Sequence, residues 1–149
     1  KMKKSGGKGK VNLVLEEEDN SDIQLGDIMN LEMLKKAMDN ILSSRFEGKK
    51  LFIKIDVEGA EYGVLKGATK ILAMSPRPTW FIEVCLSEFH PGELNPNYAA
   101  TFDLFWQQGY QVRLANREGR LITSADIQNW AANKKTNMSE FNYLFIPKQ

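Results

Sequence analysis

The chain has 149 residues, of which 42% are hydrophobic and 26% charged, a composition typical of one soluble globular domain. Its 20 lysines and arginines nearly balance 19 aspartates and glutamates, so the net charge of +1 gives no general attraction to nucleic acid or anionic membranes. The single cysteine, Cys85, excludes an intramolecular disulfide and favours a cytoplasmic location. No apolar run is long enough to cross a bilayer, so we predict no membrane span.

The first 22 residues carry their charges in blocks. Basic residues between Lys1 and Lys10 precede an acidic run from Glu16 to Asp19. Because such blocks usually form solvated or mobile tails, we predict a charged flexible leader over residues 1–22 and a folded domain over residues 23–149. The alternative is that the apolar run Val11–Leu15 forms a strand ending in the acidic group. Nucleic-acid binding by the leader is not favoured, since the rest of the chain shows no basic stripe with interleaved aromatics.

The elements predicted after this leader alternate between helices and strands. Helices follow from apolar residues at helical spacing, and strands follow from short, nearly continuous apolar runs that fit a sheet covered on both faces. The predicted helices are 31–43 with Asn30 as its N-cap, 60–73, 98–108 and 124–130. The predicted strands are 51–57, 79–86, 111–114 and 141–147. This order predicts an α/β protein whose parallel strands are joined by helical crossovers.

The most informative segment is the junction between the strand 51–57 and the helix that follows it. Asp56 and Glu58 stand at the carboxyl end of the strand, and two residues apart in an extended chain they would project to the same side. Glu61 falls in the first turn of the helix, where a negative charge offsets the helix dipole. Because ligands bind at the carboxyl ends of strands in open α/β sheets, this junction is a candidate site.

Four residues are candidates for catalysis, and they are Asp56, Glu58, Glu83 and His90. A carboxylate or a histidine is able to take the proton from a hydroxyl substrate as general base, and Asp56 is the first choice for this role. Structural interpretations compete with each of them: Lys54 is a possible ion-pair partner of the strand-end acids, and Glu83 could belong to a buried ion pair.

His90 in a loop is also consistent with a packing role, and Glu61 is interpreted as a helix-start charge. The acids offer oxygen ligands for magnesium or calcium, but their spacing is not a recognised metal motif, so no metal site is predicted.

The segment Lys54-Ile55-Asp56-Val57-Glu58-Gly59-Ala60-Glu61, with the Val-Leu-Lys-Gly-Ala that follows at 64–68, resembles the signature of the FkbM family of S-adenosylmethionine-dependent methyltransferases. Leu25–Met29 resembles the family's Leu-Asp-Asp-Leu-Leu segment, with Gly26 in place of the first Asp. Phe81–Val84 and Tyr143–Pro147 resemble two later strands. The resemblance extends from Ile23 to Pro147, so residues 23–149 are identified as the C-terminal part of the family's domain. It implies the later half of a Rossmann-like methyltransferase sheet with its last strand antiparallel.

The resemblance implies an S-adenosylmethionine-dependent O-methyltransferase whose acceptor is a hydroxyl of a sugar, a glycolipid or a polyketide-type small molecule. Such enzymes hold the cofactor with a glycine-rich turn after their first strand and an acidic residue after their second. The sequence shows no such turn, because Gly6-Gly7-Lys8-Gly9 follows basic residues and not a buried strand, and the cofactor-binding residues stay unassigned. The alternative is a non-catalytic, truncated interaction or structural module that dimerises through a sheet edge left open by missing strands.

Overall fold

The computed structural model describes residues 10–15, 23–24, 38–40, 42–88, 90 and 93–149. Its strands are β1 Lys10–Leu15, β2 Ile23–Gln24, β3 Leu51–Asp56, β4 Thr79–Glu83, β5 Tyr110–Leu114, β6 Leu121–Ile122 and β7 Asn142–Pro147. Its helices are α1 Glu61–Lys66, α2 Thr69–Ala73, α3 Tyr98–Gln107 and α4 Ser124–Asn133. Residues 38–40 and 42–45 are also helical, in agreement with the first predicted helix, whose start and Asn30 cap lie outside the described residues.

The seven described strands form one sheet in the order β2-β1-β3-β4-β7-β5-β6. β3 and β4 run parallel, with Ile53 opposite Trp80 and Ile55 opposite Ile82. All the other described strand pairs are antiparallel, and β7 lies between β4 and β5. The mixed α/β architecture confirms the predicted fold class, a Rossmann-like sheet whose last strand is antiparallel.

Burial alternates along the two parallel strands. In β3, Leu51, Ile53 and Ile55 are fully buried, whereas the residues between them are partly exposed. β4 shows the same pattern, with Trp80 and Ile82 buried. The second of these strands is predicted to be covered on both faces, and its residues between the buried ones are only partly exposed. The fully buried face packs into the core, which places the polar side chains of β3 on the other face.

Residues 10–15, which the charge pattern assigns to a flexible leader, form β1. This strand pairs antiparallel with all six residues of β3, from Lys10 opposite Asp56 to Leu15 opposite Leu51. The predicted leader is therefore wrong over residues 10–15, because β1 supplies the hydrogen bonds that the edge of β3 needs. The other parts of the predicted leader, residues 1–9 and 16–22, lie outside the described residues, and the domain boundary at residue 22 stays a prediction.

The aromatic residues of α3 contribute to the core. Phe102 and Phe105 are fully buried, and the ring of Phe105 stacks on that of Phe145 with their centroids 4.0 Å apart. The buried hydroxyl of Tyr110 donates to the carbonyl oxygen of Leu72 at 3.1 Å and accepts from Trp80 Nε1 at 3.3 Å. This network connects α2 to β4 and β5. No helix in the described part of the chain is both long and apolar enough to cross a membrane.

The predicted helix 60–73 is divided into α1 and α2. The break follows from local hydrogen bonds, because the Gly67 amide donates to Val64 O and the Ala68 amide donates to Leu65 O, both at 3.0 Å. These three-residue spacings tighten the end of α1. The prediction of one continuous helix is therefore wrong between residues 66 and 69.

Asp39, about thirty residues earlier in the chain, holds the start of α2. Its carboxylate accepts from the backbone amides of Lys70 at 3.0 Å and Ile71 at 3.1 Å, and from the Thr69 hydroxyl at 3.0 Å. Its own amide donates to Gly67 O at 2.9 Å. A carboxylate in this position satisfies amides that a helix leaves unpaired and offsets the helix dipole.

Replacing Asp39 by alanine is expected to destabilise the fold by about 1 kcal/mol, the usual cost of losing a helix cap. Urea unfolding followed by circular dichroism measures this loss. Asp103→Ala, at an exposed position within α3, is the matched control and should change the stability far less. Equal stability of the Asp39 and Asp103 variants would show that the carboxylate of Asp39 does not stabilise α2.

Candidate active site

The parallel pairing of β3 and β4 brings the carboxyl ends of both strands to one edge of the sheet. Asp56 ends β3 and Glu83 ends β4, and the register that pairs Ile55 with Ile82 makes them neighbours on adjacent strands. Lys10 of β1 is opposite Asp56, and Asn142 of β7 is opposite Glu83. We call these four positions, Lys10, Asp56, Glu83 and Asn142, the polar row. The structure thus brings two of the four predicted catalytic residues together.

Glu58 does not join the polar row. It has a φ of 50° and is followed by Gly59 with a φ of 97°, so the chain turns sharply between β3 and α1. Glycine adopts such a conformation at little cost, whereas the left-handed Glu58 is uncommon for a residue with a side chain. The expectation that Asp56 and Glu58 project to the same side required an extended chain and is wrong. Glu58 is exposed, while Asp56 is partly buried.

Glu61 is the buried carboxyl of this junction. It lies in the first turn of α1, as predicted, but only 2% of its surface is exposed. Its Oε1 accepts a hydrogen bond from the Gly59 amide at 3.1 Å. Burial raises the pKa of Glu61, with a smaller contribution from the charge of Glu83, while hydrogen bonds from the backbone act in the opposite direction.

Sequence reasoning interpreted Glu61 as a helix-start charge and missed its burial. The signal was present in the spacing of the chain. Val64, Leu65 and Ala68 lie three, four and seven positions after Glu61, and all three are buried. Residues at this spacing share one helix face, so Glu61 belongs to the buried face of the α1 segment.

Glu83 contacts the only cysteine of the chain. Cys85 Sγ donates to Glu83 Oε1 at 3.5 Å. Burial raises the pKa of the Cys85 thiol well above its usual value, and the nearby carboxylates of Glu83 and Glu88 raise it further. The thiol therefore stays protonated and is not a nucleophile.

Among the described residues, Lys54 has an aromatic neighbour and no ion pair with the strand-end acids. The ammonium group of Lys54 lies 5.8 Å from the ring centre of Phe81, a cation–π geometry. Within the described residues, no three His, Cys, Asp or Glu side chains are grouped so that they could hold a metal ion.

His90 lies apart from the polar row, in the loop between β4 and α3. Its amide donates to Ser87 O and its carbonyl accepts from the Glu93 amide, both at 3.0 Å. The ring is partly buried, and its Nε2 is inaccessible to solvent and has no hydrogen-bond partner among the described residues. His90 lines a cavity of about 410 Å³ together with Ser87, Glu93, Leu94 and Lys134.

A mixed sheet with an antiparallel last strand and acidic residues at the ends of its parallel strands is the architecture of a Rossmann-like methyltransferase. Residues 6–112 match the family model described as the methyltransferase FkbM domain. The match covers more than half of the chain, and the chain therefore belongs to the FkbM methyltransferase family. The matched residues include β1, other residues of the predicted leader, and the whole junction between β3 and α1. No curated protein and no solved structure matches the chain.

Replacing Glu61 by glutamine is expected to stabilise the protein at pH 7. Because the folded-state pKa of Glu61 is raised, its contribution to stability is fully present below the unfolded-state pKa and is lost as the pH rises through the folded-state pKa. Glutamine resembles the neutral form, so the Glu61→Gln protein should have a higher free energy of unfolding than the parent at pH 7. The gain should shrink as the pH falls towards 4.5, the ordinary pKa of a glutamate side chain.

Urea unfolding of the two proteins between pH 4.5 and pH 7 measures this difference. Glu47→Gln, the same change at an exposed position, is the control and should show little dependence on pH. A Glu61→Gln protein that is less stable than the parent at pH 7 would mean that the carboxylate is stabilised in the fold.

Proposed function

We propose that this protein is an S-adenosylmethionine-dependent O-methyltransferase that acts on a hydroxyl of a small molecule. The observation that supports the proposal is the parallel pairing of β3 and β4 within the range of the family match, which makes Asp56 and Glu83 neighbours at the edge of the sheet. Family membership supports methyl transfer in general. The hydroxyl acceptor, the cofactor and the cytoplasmic location belong to the proposal.

In this proposal Asp56 is the general base. A hydroxyl that attacks a methyl group loses its proton, and a carboxylate oxygen within hydrogen-bond reach is able to accept that proton. Asp56 ends β3, is partly buried and lies next to Glu83, so it combines access with a fixed position. Glu83 is the second choice for the same role. Glu58 is less suitable because its exposed side chain lies on a turn that does not share the direction of β3.

Glu61 has a different role in the proposal. Burial favours its neutral form, and a neutral carboxyl donates a hydrogen bond that a carboxylate cannot donate. When the environments of two neighbouring acids favour different protonation states, the charged acid is suited to act as a base and the neutral acid as a hydrogen-bond donor. We infer that Glu61 orients Glu83 or the acceptor and does not remove the proton itself.

The described residues do not form the usual cradle for S-adenosylmethionine. In a doubly wound sheet, a strand beside β3 would end at this edge and lead into a glycine-rich turn. β1 occupies that position but runs antiparallel, so it begins at this edge with Lys10. In this proposal the described residues therefore form the acceptor side of the site, and residues other than these hold the cofactor.

Titration of the purified chain with S-adenosylmethionine by calorimetry tests the cofactor. Saturable one-site binding with a Kd of about 1 µM to 1 mM, the usual range for enzyme substrates, supports the proposal. Ribose and methionine, which are parts of the cofactor, serve as controls and should not bind measurably. The absence of binding would contradict a complete cofactor site in this chain.

Replacing Asp56 by asparagine should lower the rate of methyl transfer by about 10²- to 10⁴-fold, the usual contribution of a general base. Transfer of labelled methyl groups to a panel of hydroxylated acceptors measures this effect. Asp103→Asn, at an exposed position on α3, is the control and should keep the parent rate. If Asp56→Asn transfers methyl groups at the parent rate, Asp56 is not the base.

The dimerising part of the non-catalytic alternative is not supported by the edge of β3. It is based on an open sheet edge where earlier strands should pair, but β1 pairs with every residue of β3. The described sheet ends instead in β2 and β6, which are two residues long each. Such short edge strands offer few free hydrogen-bonding groups to a second chain. Dimerisation stays a prediction without support from the edge of β3.

A further inference from the structure

One face of the sheet carries residues that are paired across five neighbouring strands. Lys54 of β3 is opposite Phe81 of β4, and Phe81 is opposite Leu144 of β7. Leu144 is opposite Arg113 of β5, and Arg113 is opposite Leu121 of β6. Residues that are directly opposite direct their side chains to the same face of a sheet, so these five residues share one face, which we call the second face.

The helices pack on the other face of the sheet, the core face. Each of α1, α2, α3 and α4 contributes buried side chains to one core cluster. From β3 and β4 this cluster contains Ile53, Ile55, Trp80 and Ile82, which alternate with the residues of the second face. No described apolar residue of the second face belongs to the cluster or to the partly buried side chains that pack against it. The four described helices therefore do not cover the second face.

The middle of the second face is apolar. Phe52 and Ile146 also lie on it, because each is two residues along its strand from Lys54 or Leu144. Phe52, Phe81, Leu144 and Ile146 are partly exposed. Leu121 is 47% exposed and is the one large apolar side chain in the described part of the chain that is exposed. A sheet buries an apolar face against another layer, so this patch is a candidate interaction surface.

The charges of the second face differ between its two ends. The acids Asp56 and Glu83 of the polar row lie at the carboxyl ends of β3 and β4. Basic residues, all exposed, lie at the opposite ends of the strands. Lys50 directly precedes β3, Arg77 precedes β4 by two residues, and Lys148 directly follows the antiparallel β7. The second face is therefore complementary in charge to a copy of itself whose strands run in the opposite direction.

We propose that the second face is a homodimer interface, on which a second copy of this chain packs sheet against sheet with its strands reversed. A two-fold axis that lies between the two sheets, perpendicular to the strands, gives this arrangement. The apolar residues of both copies then fill the space of about 10 Å between the sheets. The basic end of each copy faces the polar row of the other at the rim of the interface. The proposal rests on the second face and not on the proposed function.

Sedimentation equilibrium of the whole chain tests the proposal. Over protein concentrations from about 1 µM to 1 mM, a range that covers weak and moderate affinities, the mass should rise from the 17.0 kDa of one chain towards twice that value. A mass of one chain at every concentration would overturn the proposal.

Variants assign the contact to the second face. Leu121→Lys and Leu144→Lys place a charge within the apolar patch and should each weaken the dimer by at least about tenfold. Leu121 is exposed in the single chain, so its substitution should leave the fold intact, which circular dichroism checks. Ala125→Lys, at an exposed position on α4, is the control and should dimerise like the parent. Parent-like dimers of both leucine variants would overturn the proposal.

The direction of packing is tested by reversing one charge. Lys148→Glu should weaken the dimer about fivefold, because a negative charge then faces the acidic end of the other copy, and the two-fold axis repeats the effect. Lys135→Glu, at an exposed position after α4, is the control and should leave the dimer unchanged. An unchanged or tighter dimer of Lys148→Glu would overturn the reversed arrangement.

Labelling with a maleimide distinguishes a second copy from another segment of the same chain. The natural Cys85 is buried, so an introduced Leu121→Cys is the reactive thiol. Its labelling should slow as the protein concentration rises, whereas that of Ala125→Cys on α4 should not. Slow labelling of Leu121→Cys at every concentration in a monomeric protein would show that the chain covers its own second face, and would overturn the proposal.

Discussion

The candidate site depends on the parallel pairing of β3 with β4. Parallel strands end at the same edge, and paired residues direct their side chains to the same face, which is why Asp56 and Glu83 become neighbours. The antiparallel strands on either side, β1 and β7, begin where β3 and β4 end. The edge therefore collects the last residues of two strands and the first residues of two others. Pairing β3 and β4 in the opposite direction would separate the two acids by the length of a strand.

This arrangement opposes stability, which is an argument for function. A carboxyl that is 2% exposed and close to a second carboxylate raises the free energy of the charged folded state. A leucine at position 61 would continue the apolar face of Val64 and Leu65 without that cost. The turn before it adds strain, because Glu58 adopts a left-handed conformation. Two unfavourable features, at Glu58 and Glu61, within five residues of a strand end are typical of a site that binds or reacts.

The sequence predicted the elements whose signal is local and missed those that depend on distant residues. The observed bounds differ from the predicted ones by at most three residues for β3, β4, α3 and β7. Their signals, which are apolar periodicity and flanking glycines or prolines, are visible in the sequence itself. The break before α2 was not predictable, since it involves the carboxylate of Asp39. The strand alternative for Val11–Leu15 is not favoured from the sequence, because no predicted strand precedes it. At the site, the strand ends predict Asp56 and Glu83, whereas the turn at Glu58 that separates it from them is not visible in the local sequence pattern.

The direction of β1 has a further consequence for how the site is divided. A strand that begins at the ligand edge contributes its amino end there, so it cannot present the turn that follows a carboxyl end. Among the described residues, the acids at this edge are consequently those at the ends of β3 and β4, Asp56 and Glu83. The proposed proton acceptors therefore depend on the parallel pairing of these two strands alone, whichever residues hold the methyl donor.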